Sequence, residues 1–283
     1  MAQKTQFYVI GHPIGHSMSP FIHKRLFNLK KFDADYSVYD IPPDKLKVML
    51  TSLLDHAGGI NVTIPHKQQV LPFLDGLCGR AQLYRSVNTI SIDENGCMGH
   101  NTDADGFLNA LRLENIRLEG NIAILGSGGV GRTFACEAAL AGCSIVNAVR
   151  PVDFKKADEL RDYVLKLKPQ TSYTITTLDS LDGNFELMIN ATPVGMYPNS
   201  HNMPVDQKTV SRAAAVFDAV YNPAQTELLK CAAANGARTL GGMPMLVWQA
   251  VAAHEIWHGT KFDTDDIVQL IDDASEEMRR HFA

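Results

Sequence analysis

Short apolar runs and longer amphipathic segments alternate along the first part of the chain. A short apolar run bounded by Gly or Pro is typical of a buried strand, and apolar positions three and four residues apart are typical of a helix. The pattern predicts strands at residues 8–10, 36–39, 58–62 and 87–92, and helices that end near residue 31, extend over 43–54 and begin at Pro65. This alternation predicts a mainly parallel sheet with right-handed crossovers.

A second alternating run begins near residue 122 and continues almost to the end of the chain. It predicts strands at 122–125, 145–149, 173–176, 187–190, 215–220 and 238–240, with helices at 130–141, 154–166 and 225–235. This order is typical of a doubly wound nucleotide-binding sheet. Two last helices, at 245–258 and 264–280, have no strand between them and are expected to pack back on the first domain.

The predicted fold class is therefore α/β, with two domains. Residues 1–103 plus 242–283 are expected to form an N-terminal α/β domain that binds the substrate on a mainly parallel sheet. Residues 104–241 are expected to form a Rossmann-type, doubly wound domain that binds a dinucleotide. The substrate domain is thus predicted to be discontinuous in sequence.

Composition narrows the class of partner. A length of 283 residues with 45% hydrophobic content supports two packed cores, and a net charge of -5 argues against nucleic acid. No apolar run of membrane-spanning length and no secretory signal is evident, so a cytoplasmic enzyme with a small-molecule substrate, as a monomer or homodimer, is expected. The cysteines lack a Cys-x-x-Cys pair, which argues against a disulfide framework or zinc-thiolate site: Cys78, Cys97, Cys136, Cys143 and Cys231.

A glycine-rich segment at residues 126–131 has the sequence Gly-Ser-Gly-Gly-Val-Gly and lies between a predicted strand and an alanine-rich predicted helix. Glycines at this spacing allow a tight turn and a close approach of the backbone to a pyrophosphate, which the helix N-terminus then stabilises. A glycine-rich turn without a ligand is the alternative. The order of strand, turn and helix favours a dinucleotide site.

Cofactor selectivity is normally determined at the end of the next strand, where an acidic residue binds a ribose 2′-hydroxyl and a basic one a 2′-phosphate. Arg150 occupies this position and favours NADP, with Lys155 and Lys156 as secondary contacts. Asp153 is close enough in sequence to bind a hydroxyl instead, and Arg150 could simply be solvated. NADP is the expected cofactor, and NAD use stays open.

Polar side chains cluster after the strand at 58–62. Asn61, Thr63 and Lys67 lie where that strand ends, and Pro65 suits the first position of a helix. Asp103, at the start of a later helix, has two interpretations: it could cap that helix, or it could pair with Lys67 and orient the ammonium group. Spacing alone does not decide between them.

Several motifs together resemble the shikimate dehydrogenase family, in family order along nearly the whole chain. They are His16-Ser17-Met18-Ser19-Pro20, residues 61–67, Val87-Asn88-Thr89, Asn101-Thr102-Asp103, residues 126–131, residues 190–196 and residues 242–249. The resemblance implies reversible, NADPH-dependent reduction of 3-dehydroshikimate to shikimate, in chorismate and aromatic amino acid biosynthesis. It also implies a two-domain fold with the substrate in the cleft between the domains.

The resemblance also implies residue roles. Lys67 and Asp103 would form the catalytic pair, and the protonation state of Lys67 stays open. Ser17 and Ser19 would bind the substrate carboxylate. The ring hydroxyls would be held by Asn61, Thr63, Asn88, Asp103 and Gln249, and Tyr221 would complete the pocket. The implied cofactor contacts are Gly126, Ser127, Gly128, Gly129, Val130, Gly131, Arg150, Thr192, Met196 and Gly242.

The chain departs from the family pattern in two places. Val149-Arg150-Pro151 replaces the usual Asn-Arg-Thr, and Phe154 replaces a second arginine, which weakens the expected 2′-phosphate clamp and leaves room for NAD. Arg85-Ser86 stands where Gly-Ala is common. A quinate/shikimate dehydrogenase is the alternative within the family. A catalytically silent dinucleotide-sensing protein is the alternative from another class, and the presence of both Lys67 and Asp103 weighs against it.

A competing motif occurs near the C-terminus. His254-Glu255-Ile256-Trp257-His258 matches the H-E-x-x-H pattern of zinc peptidases, with Glu277 as a candidate third ligand. Gly259 is expected to end the helix directly after the second histidine, and a zinc peptidase would leave the glycine-rich segment unexplained. No metal site is therefore predicted.

Overall fold

The computed structural model describes residues 5–15, 17–94 and 96–282. The chain packs as two compact units. The first unit extends to Gly106 and includes Val247–Glu277, and the second comprises Phe107–Leu246 and the residues from Met278 onward. Which unit binds substrate and which binds cofactor stays a prediction, as do the domain boundaries at 103/104 and 241/242.

The described part of the first unit contains a six-stranded sheet in the order β2-β1-β3-β5-β6-β4. Its core is apolar, and Ile10, Ile60 and Ile90 are fully buried. The strands are β1 (Thr5–Gly11), β2 (Ala34–Asp40), β3 (Ala57–Val62), β4 (Gly76–Leu77), β5 (Thr89–Asp93) and β6 (Gly96–His100). The helices are α1 (Ser19–Lys30), α2 (Leu46–Leu54), α3 (Arg80–Tyr84), the start of α4 (Asp103–Leu113), and most of α9 (Gly242–His258) and α10 (Thr264–Phe282).

The sheet of the first unit is mainly but not wholly parallel. β1 pairs in parallel with β2 and β3, whereas β5 is antiparallel to both β3 and β6. The predicted strand at 87–92 begins two residues later, at Thr89, and the hairpin formed by β5 and β6 was not predicted. The Asn95-Gly96 pair, a sequence typical of a two-residue hairpin turn, was the available signal.

The structure has no helix beginning at Pro65, so that prediction is wrong. Residues 64–70 form successive turns that lead into a short 3-10 helix at Leu71–Phe73. In an α-helix the Lys67 carbonyl would accept from the amide of residue 71, but here it accepts from the Val87 amide at 2.8 Å. The buried His66 ring also contacts the Ile41 carbonyl at 2.6 Å. A hydrogen bond to a distant segment therefore takes the place of the helical one at Lys67.

The second unit contains a six-stranded, all-parallel sheet in the order β12-β11-β10-β7-β8-β9 within its described residues. The strand order reverses between β7 and β10, which is the position where ligands bind in doubly wound sheets. The predicted Rossmann-type arrangement is confirmed. The strands are β7 (Asn121–Leu125), β8 (Ser144–Val149), β9 (Tyr173–Thr177), β10 (Leu187–Asn190), β11 (Ala215–Asp218) and β12 (Arg238–Leu240).

The helices around this sheet begin and end close to their predicted positions. They are α5 (Gly129–Leu140), α6 (Phe154–Leu167), α7 (Gln207–Val210) and α8 (Glu227–Ala234), of which the short α7 was not predicted. Across residues 5–15, 17–94 and 96–282, no helix combines the length and hydrophobicity needed to cross a bilayer. The five cysteines are free thiols, and Cys136 and Cys143 are buried.

Candidate active site

A lysine and an aspartate from distant segments meet in the first unit. Lys67 lies in the turns after β3, and Asp103 is the first residue of α4. Lys67 Nζ donates to Asp103 Oδ2 at 2.6 Å, and the two side chains are only 18% and 10% exposed. The Asp103 amide donates to Asn101 Oδ1 at 3.2 Å. The Asn101 side chain thus accepts from the first amide of α4, and the Asp103 carboxylate pairs with Lys67.

Asn88 holds the second oxygen of that carboxylate. Its side-chain amide donates to Asp103 Oδ1 at 3.0 Å and also lies 2.9 Å from Thr102 Oγ1 and 3.4 Å from Gln249 Oε1. Its own oxygen accepts from the Thr102 amide at 2.7 Å. Both carboxylate oxygens of Asp103 therefore have fixed donors, and Lys67, Asp103, Asn88 and Gln249 form one continuous polar row.

Asn61, at the end of β3, anchors a second polar group in the same unit. Its side-chain amide donates to Thr89 Oγ1 at 3.1 Å, and its oxygen accepts from the Tyr36 hydroxyl at 2.7 Å. Tyr36 lies on β2 and also hydrogen-bonds to the Ser19 side chain. Sequence reasoning missed Tyr36, because a tyrosine inside a strand carries no local signal of which side chains it will meet. Tyr36 connects Ser19, the first residue of α1, with Asn61.

The surroundings of the Tyr36 hydroxyl favour its neutral, protonated form. Burial raises the pKa of Tyr36 well above its ordinary value, and the hydrogen bond from Ser19 opposes part of that shift. Ser17 Oγ accepts from the Ser19 amide at 3.2 Å, at the N-terminus of α1. Thr63 is half-buried beside Gly11. Ser19 and Asn61, two of the predicted substrate residues, thus hydrogen-bond to a phenol that stays protonated at neutral pH.

The histidines of the H-E-x-x-H motif are engaged in packing. His254 Nε2 lies 3.0 Å from His23 Nδ1, and the His23 ring stacks on Tyr36 with centroids 4.1 Å apart. Burial lowers the pKa of His23 to about 3 and that of His254 well below its ordinary value. Glu255 accepts from Lys261 at 2.6 Å, and α9 ends at His258. Across the part of the chain that the structure describes, no group of three or more His, Cys, Asp or Glu side chains is arranged so that it could hold a metal ion.

In the second unit the glycines of the turn after β7 divide into two kinds. Gly126 has φ +98°, and a Cβ there would lie 2.8 Å from Thr192 Cγ2. A Cβ on Gly131 would lie 2.8 Å from the Gly126 carbonyl oxygen. A Cβ on Gly128 or Gly129 would meet nothing within 4 Å. Gly126 and Gly131 are thus needed by the fold, whereas Gly128 and Gly129 leave space above the turn.

A cavity of about 280 Å³ opens at this turn. Its lining joins residues 126–128 to Thr192 and to Arg150, Asp153 and Lys156, which follow β8. An open glycine turn at a helix N-terminus, with basic side chains nearby, fits the phosphates of a dinucleotide. Of the predicted cofactor contacts, the part of the chain described here places Gly126, Ser127, Gly128, Arg150 and Thr192 in this lining, but not Gly129, Val130, Gly131, Met196 or Gly242.

A buried carboxyl supports the Thr192 side of the cavity. Asp218, at the end of β11, accepts from Asn190 Nδ2 at 2.9 Å and from Thr226 Oγ1 at 2.7 Å. Asn190 in turn accepts from the hydroxyl of Thr192 at 2.6 Å. Burial raises the pKa of Asp218 to about 6. Tyr221 follows closely and is half-buried, and burial raises its pKa as well.

Together the Rossmann-type sheet, the open glycine turn and the buried lysine–aspartate pair define a dinucleotide-dependent dehydrogenase. A family model for the shikimate dehydrogenase substrate binding domain matches residues 9–90. A shikimate dehydrogenase (NADP(+)) from Caldanaerobacter subterraneus subsp. tengcongensis is 36% identical over 94% of this chain and 95% of its own length. The chain therefore belongs to the shikimate dehydrogenase family.

Solved structures agree with this membership. A shikimate 5-dehydrogenase from Thermus thermophilus, in complex with NADP(H) and shikimate, superposes with a TM-score of 0.85 at 31% identity, over 95% of this chain and 99% of the other. One from Listeria monocytogenes, in complex with shikimate and NAD, also has a TM-score of 0.85, at 27% identity over 95% of this chain and 96% of the other. The similarity extends over both units.

Proposed function

We propose that this chain catalyses the reversible, NADPH-dependent reduction of 3-dehydroshikimate to shikimate, with Lys67 and Asp103 as the catalytic pair. The observation that carries the proposal is the 2.6 Å contact between Lys67 Nζ and Asp103 Oδ2, inside a network of amide and hydroxyl side chains. Family membership over nearly the whole chain supports the same reaction.

The nicotinamide supplies the hydride when the cofactor is bound, and the protein must manage the proton at the substrate oxygen. Lys67 carries that proton or donates a hydrogen bond to that oxygen, and Asp103 orients the ammonium group. Asn88 supports this role because it holds Asp103 Oδ1 at 3.0 Å. A positioned proton-transfer group contributes about 10²- to 10⁴-fold to the rate of such a step.

The remaining substrate contacts are assigned by chemistry. Ser17 and Ser19 lie at the N-terminus of α1, where their hydroxyls and the positive end of the helix dipole suit a carboxylate. Asn61, Thr63, Asn88 and Gln249 offer amide and hydroxyl groups that suit ring hydroxyls. Tyr221 is proposed to complete the substrate site.

NADP is the proposed physiological cofactor, and support comes from the names of the relatives and from Arg150 in the lining of the cavity. The bound phosphates are assigned to the turn at residues 126–131, and the nicotinamide half to the segment with Thr192 and Met196 and to Gly242. We also propose that the chain acts in the cytoplasm, as a monomer or homodimer. Free cysteines support a reducing compartment.

The test is oxidation of shikimate by the purified protein with NADP and with NAD, followed through formation of the reduced nicotinamide. Turnover with NADP is expected, at a kcat/KM above that with NAD. A folded protein that turns over shikimate with neither cofactor would refute the proposal and favour a silent dinucleotide-sensing protein. Quinate in place of shikimate is the second arm: a comparable kcat/KM would identify the quinate/shikimate branch of the family.

A further inference from the structure

The basic group that should recognise a 2′-phosphate already has an anionic partner. Arg150 follows β8, and its Nε donates to Asp153 Oδ2 at 2.7 Å. Arg150 is 70% exposed but Asp153 only 23%, so the carboxylate is the more fixed of the two. Both residues line the cavity above the glycine turn. Any ligand that reaches Arg150 there also meets Asp153.

NADP and NAD respond to this carboxylate in opposite ways. A phosphate monoester carries about -1.5 to -2 charges at neutral pH, so it is repelled by Asp153 and must compete with it for the guanidinium group. A ribose 2′-hydroxyl is neutral and can donate a hydrogen bond to the same carboxylate. One side chain therefore weakens binding of one cofactor and supports the other.

We propose that Asp153 determines the cofactor preference of this chain by acting as a built-in anionic partner of Arg150. It lowers the affinity for the 2′-phosphate and offers an acceptor to the 2′-hydroxyl, so that the protein uses NAD as well as NADP. Lys156 is a second cation in the cavity lining, and its positive charge allows the 2′-phosphate still to bind. This inference rests on the proposed function, because it refines which cofactor that reaction uses.

The helix that follows offers a matched control. Arg161 and Asp158 form a similar ion pair on α6, three residues apart and 2.8 Å in length, and neither lines the cavity. Asp153→Asn and Asp158→Asn each remove one carboxylate charge from an Arg–Asp pair while keeping the size of the side chain. Only the first is expected to change nucleotide recognition.

The experiment measures binding of 2′,5′-ADP and of 5′-ADP by calorimetry, without any turnover. Asp153→Asn should raise the affinity for 2′,5′-ADP by about three- to tenfold, which is the size expected for exposed charges. The affinity for 5′-ADP should stay unchanged or fall. The gain should shrink at high salt. In steady-state assays the ratio of kcat/KM for NADP to that for NAD should rise by a similar factor.

An unchanged ratio of the two affinities in Asp153→Asn, or the same change in Asp158→Asn, would overturn the proposal. Arg150→Gln should weaken binding of 2′,5′-ADP and reduce the gain from Asp153→Asn, and an undiminished gain in that background would overturn the role of Arg150. Absence of shikimate turnover alongside the expected binding changes would refute the proposed reaction while leaving this inference intact. A parent protein that binds neither nucleotide would refute the cofactor site itself.

Discussion

The buried His23 should make the first unit sensitive to acid. His23 is fully buried on α1, between the Tyr36 ring and His254, which is itself faced by His258. Replacement of His23 by Gln keeps a polar side chain that can hydrogen-bond to His254 but removes the titrating ring. Because Tyr36 donates to Asn61, the packing of His23 also supports the candidate substrate site.

The magnitude follows from the two protonation states. Burial lowers the pKa of native His23 to about 3, whereas an unfolded histidine has a pKa near 6.5. Below about pH 6.5 the unfolded chain therefore binds a proton that the native protein excludes, and stability falls as the pH falls. This uptake favours the unfolded state by about 2 kcal/mol at pH 5 and by less than about 0.1 kcal/mol at pH 7.5.

The assay is urea unfolding of the parent and of His23→Gln between pH 7.5 and pH 5, followed by tryptophan fluorescence. Both tryptophans of the chain, Trp248 and Trp257, lie on α9 in the first unit, so the signal reports on that unit. The parent should lose about 2 kcal/mol more than the variant over this range, whatever their difference at pH 7.5. His201→Gln, which removes an exposed histidine, should follow the parent. Equal losses in the parent and in His23→Gln would refute the reasoning.

Three other predictions concern the candidate sites and one backbone position. Lys67→Met should lower kcat by about 10²-fold or more with little change in KM for NADP, and turnover near that of the parent would remove Lys67 from proton transfer. Gly128→Ala should unfold at the temperature of the parent but bind NADP more weakly, since its Cβ enters open space, whereas Gly131→Ala should lower the melting temperature because its Cβ would crowd the Gly126 carbonyl oxygen. Arg85→Gly should raise stability by up to about 1 kcal/mol in thermal unfolding, because Arg85 has φ +52°, and a lower melting temperature would contradict this.

The second unit was the more predictable half of the fold. The predicted strands at 187–190 and 238–240 coincide with β10 and β12, and the glycine-rich segment lies between β7 and α5 as expected. Strands of a parallel sheet are covered on both faces, so each is a short, continuous apolar run that stands out between helices. The information needed to recognise these elements is local.

The first unit differs from the prediction where distant segments compete for backbone hydrogen-bonding groups. After Pro65 the Val87 amide donates to the Lys67 carbonyl, which is then not available for a helical bond, and the buried His66 ring ties this segment to the Ile41 carbonyl. The antiparallel β5 and β6 were missed although Asn95-Gly96 signalled a turn. Intrinsic preferences are weak compared with such tertiary contacts, and they fail where those contacts decide.

For the candidate sites, the sequence by itself determined the residue types and the glycine turn, since the shape of that turn depends on consecutive residues. Only the tertiary structure decided which side chains meet. In the structure the Asp103 carboxylate forms an ion pair with Lys67 and does not cap its own helix. Tyr36 hydrogen-bonds to Asn61, and His23 contacts His254. Such contacts join residues far apart in the chain, and their geometry depends on how strands and helices pack, which no local pattern encodes.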